Sequence, residues 1–444
     1  MSTFAIKNFG CRATQADAAS IRQSFVAQGY SLAETDSAAD LVVLNTCTVT
    51  AAADAEARDT IRLIHRHNPN ARIVVTGCYA QRAPEELAAI EGVSWVIGNS
   101  HQEEIASLVG GAKDLVSISN FARGISPSVQ IVREEMSAAR ELAVAAPEEF
   151  GGERTRPTLK IQDGCNHRCT YCVIPFVRGK SRSLEPNRVL FEITRMVDAG
   201  AREIVLSGID LGSYGRELTP RSTLYSLIRR ILHESGIERL RFSSIEPMDI
   251  TQDFVDLVAS TPRIAPHFHM PLQSGSDRTL RAMHRWYRAA HYARRVEIIH
   301  NRLPDAAIGA DVIAGFPGET EEDHRATMHF IEDLPLTYLH VFSFSPRGGT
   351  DAEKLANAND DRIIHRRAQE LRALGNEKAN AFRASQMGKT MRVLTLEDKG
   401  RAWTPAISGN FLKLRVAGPW PRNQWMRIVL NELDEPLVPL PAEN

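Results

Sequence analysis

The sequence of 444 residues contains no run of about 18 apolar residues, which excludes a transmembrane helix of ordinary length. Its first residues, MSTFAIKNFG, lack the charged and apolar regions of a signal peptide, so we expect a cytoplasmic protein with no membrane partner. A net charge of −1 gives no overall attraction to nucleic acid, and any basic surface must therefore be local. Only six cysteines are present, and in the cytoplasm they would remain reduced and available to metal.

Three of the cysteines, Cys165, Cys169 and Cys172, form a C-x3-C-x2-C pattern shortly after a strand-like run at 159–161. Thiolates this close in sequence can converge on one metal centre, and three ligands leave one position of that centre open. A structural zinc site would normally add a second C-x2-C or an H-x3-5-H pair, and His167 inside the loop is badly placed to share a metal with all three thiols. The pattern therefore favours an iron–sulfur cluster with an open iron over zinc.

This pattern resembles the signature of the radical S-adenosylmethionine (SAM) enzymes. The resemblance implies that Cys165, Cys169 and Cys172 hold a 4Fe-4S cluster whose fourth iron binds SAM. It further implies that reduction of the cluster cleaves SAM to methionine and a 5′-deoxyadenosyl radical. Tyr171, the aromatic residue before the last cysteine, is expected beside the SAM adenine; the alternative is a packing role within the loop.

The segment 1–115 alternates strand and helix patterns, which predicts a doubly wound α/β domain with a parallel sheet. Cys11, Cys47 and Cys78 each follow shortly after a predicted strand. Because the carboxyl ends of parallel strands share one edge, we expect the three thiols to meet in one crevice as a second metal site. The alternative is that each cysteine is buried as a small apolar residue. Placement after a strand end in all three cases favours the metal site.

The residues around these three cysteines resemble the N-terminal domain of the methylthiotransferases, in the segments 10–11, 45–50 and 77–81. The resemblance implies that Cys11, Cys47 and Cys78 hold an auxiliary 4Fe-4S cluster, which carries the sulfur to be inserted. Thr14 departs from the family, which usually has asparagine there. We expect this departure to change a hydrogen bond near the cluster without loss of the cluster.

The segment 154–384 predicts an open, partial (β/α)6 barrel, because six strand patterns alternate with helical ones. In such a barrel the active site faces the carboxyl ends of the strands. Four of these ends carry polar residues and glycines, at 207–215, 243–247, 271–277 and 311–320. The basic run 178–182 follows the cysteine loop, and two interpretations stay open for it: contact with an anionic substrate backbone, or a solvated turn.

The four strand ends also resemble the methylthiotransferases, nearly word for word. By this resemblance the residues expected to surround SAM are Ser207, Gly208, Glu246, Gln273, Ser274 and Asp311. Asp210 is a second departure, since the family is expected to have asparagine at this position.

The segment 385–444 predicts a small antiparallel β-barrel, since short alternating strands separated by turn residues follow a helix at about 361–385. Basic and aromatic residues interleave here, which suits RNA through phosphate contact and base stacking. The alternative is that the aromatic side chains fill the barrel core. The segment resembles the TRAM domain, an RNA-binding module of the same family. The residues concerned are Lys389, Arg392, Lys399, Arg401, Lys413, Arg415, Arg422 and Arg427, with Trp403, Phe411, Trp420 and Trp425.

Together these patterns divide the chain into a methylthiotransferase N-terminal domain (1–115), a linker (116–153), a radical SAM core (154–384) and a TRAM-like domain (385–444). The family resemblance implies one reaction. One SAM supplies a methyl group to sulfur on the auxiliary cluster, and a second SAM, cleaved at the radical cluster, activates C2 of an adenosine for transfer of the methylthio group. An aromatic C–H bond offers no acidic proton, so radical chemistry suits this step.

The segments 45–50, 77–81 and 243–247 most resemble the subgroup that acts on N6-threonylcarbamoyladenosine beside the tRNA anticodon. The partners then expected are the tRNA anticodon loop, a low-potential electron donor and a sulfur source. Sister subgroups act on N6-isopentenyladenosine in tRNA or on an aspartate of a ribosomal protein. A hypothesis of another class is a non-catalytic RNA-binding iron–sulfur sensor, and the glycine-bearing strand ends argue against it because a sensor needs no SAM pocket.

Overall fold

The structure is a computed structural model that describes residues 2–111, 129–136, 142, 155–356, 358–397, 400, 402–432 and 435–440. Contacts divide the chain into two units, the first comprising Met1–Glu149, Leu159–Leu184 and Ser345–Glu353, and the second the remainder. The linker predicted at 116–153 lies outside the described residues except at 129–136 and 142, and the four predicted segments remain a prediction. Within the described ranges, no helix combines the length and the apolar character that a membrane span requires.

The first unit is built on a six-stranded parallel sheet with the order β2-β1-β3-β4-β5-β6. Apolar clusters cover both faces of this sheet, as the doubly wound prediction requires, because alternate residues of β3 point to opposite sides. The strands are β1 (Thr3–Asn8), β2 (Ser31–Leu32), β3 (Leu41–Thr46), β4 (Arg72–Gly77), β5 (Val93–Gly98) and β6 (Gln130–Val132). The helices are α1 (Arg12–Ala27), α2 (Ala51–His67), α3 (Cys78–Arg82), α4 (Pro84–Ala88) and α5 (Ile105–Gly111).

Two helix boundaries of this unit differ from the sequence pattern, which predicts helices over 18–28 and 101–109, and one short helix is missed. Helix α1 begins at Arg12, well before the predicted start at Ala18, because Cys11 is its N-cap and its first turn is already partly buried. The helix predicted at 101–109 begins as a 3-10 turn over Asn99–Glu104 and becomes α-helical at Ile105. Helix α3 is missed by periodicity because it has only five residues and is buried almost throughout.

The cysteine loop of the first unit is framed by short elements. Strand β7 (Thr158–Lys160) precedes it, β8 (Gln162–Asp163) pairs antiparallel with β9 (Arg182–Ser183), and α6 (Ile174–Arg178) lies between them. The cysteines therefore occupy a connection whose two ends are held by β8 and β9.

The second unit repeats strands followed by helices, as the sequence predicts. Strands β10 and β11 pair in parallel, as do β12, β13 and β14, and the backbone N–H of Ile245 donates to His269 O at 2.9 Å. The strands are β10 (Glu203–Ser207), β11 (Arg239–Phe242), β12 (His267–His269), β13 (Ala307–Ala314) and β14 (Tyr338–Ser343). The helices are α7 (Pro186–Asp198), α8 (Leu224–Glu234), α9 (Gln252–Ala259), α10 (Asp277–Ala282), α11 (Ala289–Arg302) and α12 (Glu321–Asp333).

The C-terminal part of this unit is the long helix α13 (Asp361–Ser385) and an antiparallel sheet in the order β17-β16-β15-β18. The strands are β15 (Thr390–Thr395), β16 (Trp403–Ser408), β17 (Lys413–Ala417) and β18 (Trp425–Val429). The buried cluster described for this sheet is aliphatic, and the four aromatic side chains named above lie partly or largely exposed. The described core cluster contains none of these four aromatics, but two of them pack inward: the Phe411 ring centroid lies 4.2 Å from that of His267, and the Arg239 guanidinium lies 4.4 Å from the Trp425 ring centroid. Lys399 and Arg401 lie outside the described residues.

One buried carboxylate joins this sheet to β11. Glu203 on β10 is fully buried and contacts Arg239, while Arg241 Nε lies 2.8 Å and Arg156 Nη1 3.2 Å from Glu203 Oε1. Arg241 in turn donates to Ser408 O at 2.9 Å. A single acidic side chain thus compensates three guanidinium groups, and the C-terminal sheet is fixed through them.

Neutralising this carboxylate is expected to destabilise the second unit. Burial opposes ionisation of Glu203, but Arg241, Arg239 and Arg156 outweigh it and lower its pKa from 4.5 to about 2. The pKa of Glu203 is lower in the folded state than in the unfolded state. The stabilisation is therefore complete at a pH above the unfolded-state pKa and is lost as the pH falls toward the folded-state pKa. Glu203→Gln should therefore lose roughly 3–5 kcal/mol of unfolding free energy at pH 7. Urea denaturation between pH 7 and pH 3 measures the unfolding free energy. The difference in this free energy between wild type and Glu203→Gln should become smaller as the pH falls.

Glu234→Gln is the matched control, because Glu234 is exposed and pairs with Arg230 across one helix turn. Such surface pairs contribute little to stability. Equal losses in the two variants would contradict the role given to Glu203.

Candidate functional site

Cys11, Cys47 and Cys78 follow three neighbouring strands of the first sheet. Cys11 is the N-cap of α1 after β1, Cys47 comes directly after β3, and Cys78 directly follows β4 as the first residue of α3. The strands β1, β3 and β4 are adjacent and in parallel register at these ends. The structure therefore places the three thiols at one edge of the sheet, where the strand pattern predicts them.

Close packing shapes this crevice. Gly10 has a left-handed φ of +101°, and a Cβ at this position would lie 2.5 Å from Cys47 Cβ and 3.0 Å from Cys47 Sγ. Asn99 Nδ2 lies 3.5 Å from Cys78 Sγ. Cys47 and Cys78 are buried, whereas Cys11 is exposed, so the crevice is open to solvent on the Cys11 side.

Burial keeps the metal-free thiols of Cys47 and Cys78 protonated. Burial, reinforced by Cys78, raises the pKa of Cys47 to about 12. Burial also raises the pKa of Cys78, although the positive charge of Arg178 opposes the rise. A metal centre that binds here must displace these protons. Three soft sulfur donors grouped at a buried edge fit an iron–sulfur cluster well.

The departure at Thr14 acts on the backbone that carries Cys11. The Thr14 hydroxyl lies 2.7 Å from Cys11 O and 3.0 Å from Phe9 O. The amide of Asn45 donates to Thr14 O at 2.7 Å. The hydrogen bond expected near the cluster is therefore directed at the loop backbone, which it braces.

The C-x3-C-x2-C loop is closed mainly by backbone hydrogen bonds. The N–H of Cys165 donates to Gly179 O at 3.1 Å, and that of Cys172 to Cys169 O at 3.0 Å. The N–H of His167 lies 3.4 Å from Cys165 Sγ. Gly164 has a φ of +73°, and a Cβ there would lie 2.1 Å from Lys180 O, so only glycine fits. The three thiols of this loop are half-buried.

Two features beside this loop escape sequence reasoning. Gln162 is fully buried, and its amide donates to Gly164 O at 2.7 Å and to Ser181 Oγ at 3.0 Å. Arg178 is neither a substrate contact at the surface nor part of a solvated turn, because it is 1% exposed and paired with Asp17 and Asp163. The sequence signal for both features is polar: Lys160 interrupts the strand-like run at 159–161, and Gln162 and Asp163 follow it. Tyr171, the predicted neighbour of the adenine, is half-buried in the loop.

In the second unit, Ser207 ends β10 with an unused hydroxyl. The side chain is 1% exposed, and its Oγ has no hydrogen-bond partner among the described residues. The N–H of Gly208 donates to Ser243 Oγ at 3.3 Å. Asp210 is buried and is the N-cap of the 3-10 turn Leu211–Ser213. A buried hydroxyl of this kind is what a polar ligand would satisfy.

The strand ends that carry Glu246, Gln273 and Ser274 are rigid. Glu246 contacts the buried guanidinium of Arg285. Gln273 has a φ of +67°, which is strained for a residue with a side chain, and its N–H donates to Asp311 O at 2.8 Å. Ser274 is fully buried, and its hydroxyl lies 3.1 Å from Thr327 Oγ1, so its visible contacts support the loop.

Asp311 is engaged by two imidazoles. Its Oδ1 lies 2.9 Å from His269 Nε2 and 3.3 Å from His340 Nδ1. Tyr338 OH lies 3.0 Å from His269 Nδ1 and orients that ring. Burial opposes ionisation of Asp311, but His269 and then His340 outweigh it and hold the pKa of this carboxyl well below its usual range. Asp311 is thus a fixed carboxylate with partners of its own.

Residues 3–98 match the model of uncharacterized protein family UPF0004, and residues 159–331 match the radical SAM superfamily. The threonylcarbamoyladenosine tRNA methylthiotransferase MtaB of Aquifex aeolicus is 36% identical over 406 residues, covering 89% of this chain and 93% of the relative. The chain belongs to the radical SAM methylthiotransferase family. It is therefore a SAM-dependent radical enzyme, with SAM and two 4Fe-4S clusters as its cofactors.

Other relatives carry two kinds of name. The MtaB of Bacillus subtilis is 34% identical over 460 residues, covering 98% of this methylthiotransferase and 99% of the relative. The tRNA-2-methylthio-N(6)-dimethylallyladenosine synthase of Thermobifida fusca is 34% identical over 408 residues, covering 90% and 79%. Among solved structures, the radical SAM methyltransferase TsrM of Kitasatospora setae shares the fold, with a TM-score of 0.55, 17% identity, and coverage of 77% of this chain and 73% of that one.

Crowding Cys47 is expected to disrupt the auxiliary crevice alone. If the crevice holds one of the two clusters, Gly10→Ala should lose about half of the iron of the methylthiotransferase, because the added Cβ would lie 2.5 Å from Cys47 Cβ and displace that thiol. Iron per chain after anaerobic reconstitution measures the effect. Gly29→Ala is the matched control, since Gly29 has a φ of +84° and nothing within 4 Å of an added Cβ. Full iron content in Gly10→Ala would contradict the crevice as a cluster site.

Proposed function

We propose that this methylthiotransferase inserts a methylthio group at C2 of N6-threonylcarbamoyladenosine beside the tRNA anticodon. The observation that carries the proposal is the likeness to two relatives with that name, at 36% and 34% identity over nearly their whole length. The tRNA anticodon loop, a low-potential electron donor and a sulfur source are the partners that this reaction requires.

In this proposal each cysteine triad holds one 4Fe-4S cluster. Cys165, Cys169 and Cys172 bind the radical cluster, and Cys11, Cys47 and Cys78 bind the auxiliary cluster that carries sulfur. When bound, these groups supply the radical and the methylthio group that acid–base chemistry cannot provide. The exposure of Cys11 supports the assignment, because an inserted sulfur must be reachable from outside the crevice.

The chain's own residues bind and orient the ligands. Ser207 offers an unused buried hydroxyl and Gly208 a backbone without a side chain, both suited to close contact with SAM. Gln273 stands in a strained conformation, as residues at functional sites often do. Glu246, Ser274, Asp311 and Tyr171 complete the proposed SAM set by family resemblance. The strands of the second unit belong, in this proposal, to an open (β/α)6 barrel.

The C-terminal sheet is the proposed RNA-binding, TRAM-like module. Its aliphatic core leaves Trp420, Lys413 and Arg415 exposed at the surface. The guanidinium of Arg415 lies 5.0 Å from the Trp403 ring centroid, and that of Arg392 lies 3.9 Å from the Trp425 ring centroid. Stacked cation and ring surfaces of this kind suit phosphates and unpaired bases.

A second candidate is methylthiolation of N6-isopentenyladenosine in tRNA. The likeness to the Thermobifida fusca enzyme, at 34% identity, supports it. A ribosomal-protein aspartate is the third substrate of the wider family, with no relative named above in its favour. Membership of an enzyme family argues against the sensor.

Nucleoside mass spectrometry of tRNA from cells with and without the gene tests the substrate. We expect loss of 2-methylthio-N6-threonylcarbamoyladenosine and accumulation of its precursor in the deletion strain. Wild-type protein should restore the product, and the Cys47→Ala variant should not. Loss of the isopentenyl analogue would establish the second candidate, and no change in either nucleoside would contradict both.

Removing two exposed cations of β17 tests the RNA surface. Lys413 and Arg415 alternate with buried residues and face solvent. Because binding of cations to phosphates releases counterions, their replacement by alanine should weaken tRNA binding about tenfold and reduce the salt slope by about one for each phosphate that is no longer neutralised. Fluorescence anisotropy over a salt series measures both quantities. Arg325→Ala, at another exposed arginine, is the control, and a double variant that binds like it would contradict the surface.

A further inference from the structure

Four charged side chains in the first unit form a group that we call the buried quartet: Asp17, Lys160, Asp163 and Arg178. Each is at most 4% exposed. Lys160 contacts Asp17, and its Nζ lies 2.9 Å from Asp163 Oδ2. Arg178 Nη2 lies 2.7 Å from Asp17 Oδ2, and its Nη1 lies 3.1 Å from both oxygens of Asp163. Two acids and two bases thus compensate one another away from water.

The quartet connects the elements that carry the two cysteine triads. Asp17 lies on α1, whose N-cap is Cys11. Asp163 precedes Gly164 and Cys165, and its Oδ1 accepts the Gly164 N–H at 2.8 Å. Through these carboxylates Arg178 is tied to the segments that carry both triads.

Arg178 also ends the helix α6, which packs against Cys78. Val177, the preceding residue, packs against Cys78 in one buried cluster with Val173. Asn99 donates to Val177 O at 2.9 Å, while the same amide nitrogen lies 3.5 Å from Cys78 Sγ. The charge of Arg178 opposes the rise that burial causes in the pKa of Cys78, which is consistent with this proximity.

Packing alone does not account for the quartet. Burying four charges carries a large desolvation cost, and apolar side chains of similar volume would often fill such a space with equal or greater stability. An arginine keeps its charge in almost any environment, so the quartet maintains a permanent cation beside the thiols of the auxiliary crevice.

We propose that Arg178 is a positioning residue whose buried charge raises the reduction potential of the auxiliary cluster. The inference rests on the proposed assignment of Cys11, Cys47 and Cys78 to that cluster. One-electron reduction makes a thiolate-bound cluster more negative, so a fixed cation nearby stabilises the reduced form more than the oxidised form. Asp17 pairs with the Arg178 guanidinium, and its negative charge limits how far Arg178 can raise the reduction potential.

The test uses the full chain with Cys165, Cys169 and Cys172 replaced by alanine, so that only the auxiliary triad can hold a cluster. Its midpoint potential is measured by anaerobic titration followed by electron paramagnetic resonance. Arg178→Met should lower the ratio of reduced to oxidised cluster about tenfold at a fixed solution potential, which is a shift of about 59 mV for one electron. Arg178→Lys should stay near the parent value, because it keeps the charge.

Two variants of the quartet separate charge from architecture. Lys160→Met removes a cation that pairs with the same two carboxylates, Asp17 and Asp163. Unlike Arg178, Lys160 has no leading effect on the pKa of Cys47 or Cys78, so the reduction potential should change little. Asp17→Asn removes an anion, so the potential should rise. If Arg178→Met does not retain a cluster, a raised potential in Asp17→Asn together with an unchanged potential in Arg178→Lys still decides the question.

The proposal is overturned if Arg178→Met and Lys160→Met have the same potential, or if Asp17→Asn leaves the potential unchanged or lowers it. A different failure concerns the assignment on which the proposal rests. The parent protein is the full chain with Cys165, Cys169 and Cys172 replaced by alanine and Arg178 intact. If this protein binds no iron, then Cys11, Cys47 and Cys78 do not hold a cluster, and the assignment in the proposed function fails independently of Arg178.

Discussion

The geometry of parallel strands is the constraint on which this molecule depends, because neighbouring parallel strands end at the same edge of their sheet. In the first unit this rule gathers Cys11, Cys47 and Cys78 from well-separated parts of the sequence. In the second unit it places the polar ends of β10 and β13, with Ser207 and Asp311, on a frame of buried apolar strands. In the first unit the cysteines come from short connections after the strands, whereas in the second unit Ser207 and Asp311 belong to the strands themselves.

Both cysteine triads are shaped more by backbone than by side chains. Gly10 and Gly164 stand where any side chain would collide with a cysteine or a carbonyl, and carbonyl oxygens close the C-x3-C-x2-C loop. Buried thiols with a raised pKa, such as Cys47, release protons when a metal binds, so cluster loading is coupled to proton loss. The backbone therefore sets the shape of each triad, and metal binding replaces the protons of its buried thiols.

Much of the secondary structure could be predicted because its signals lie in short continuous stretches of sequence. Continuous apolar runs such as 41–44 mark buried parallel strands, and the long helix α13 matches its periodic pattern. The buried quartet could not be predicted, since Lys160 and Asp17 are 143 positions apart and charge in a short basic run suggests a surface. The partners of Asp311 and Ser274 also depend on strands and helices brought together only by folding. Sequence therefore identifies the ligand-bearing loops better than the contacts that support them.

The aliphatic interior of the C-terminal sheet has a consequence for divergence within the family. Met391, Val393, Leu414, Val416 and Ile428 belong to the buried cluster of the sheet, and no tryptophan belongs to it among the described residues. Trp420 is 39% exposed and lies outside this cluster, so we expect that it can be replaced without unfolding the sheet. One scaffold can in this way change the surface that it presents while the strands beneath remain the same.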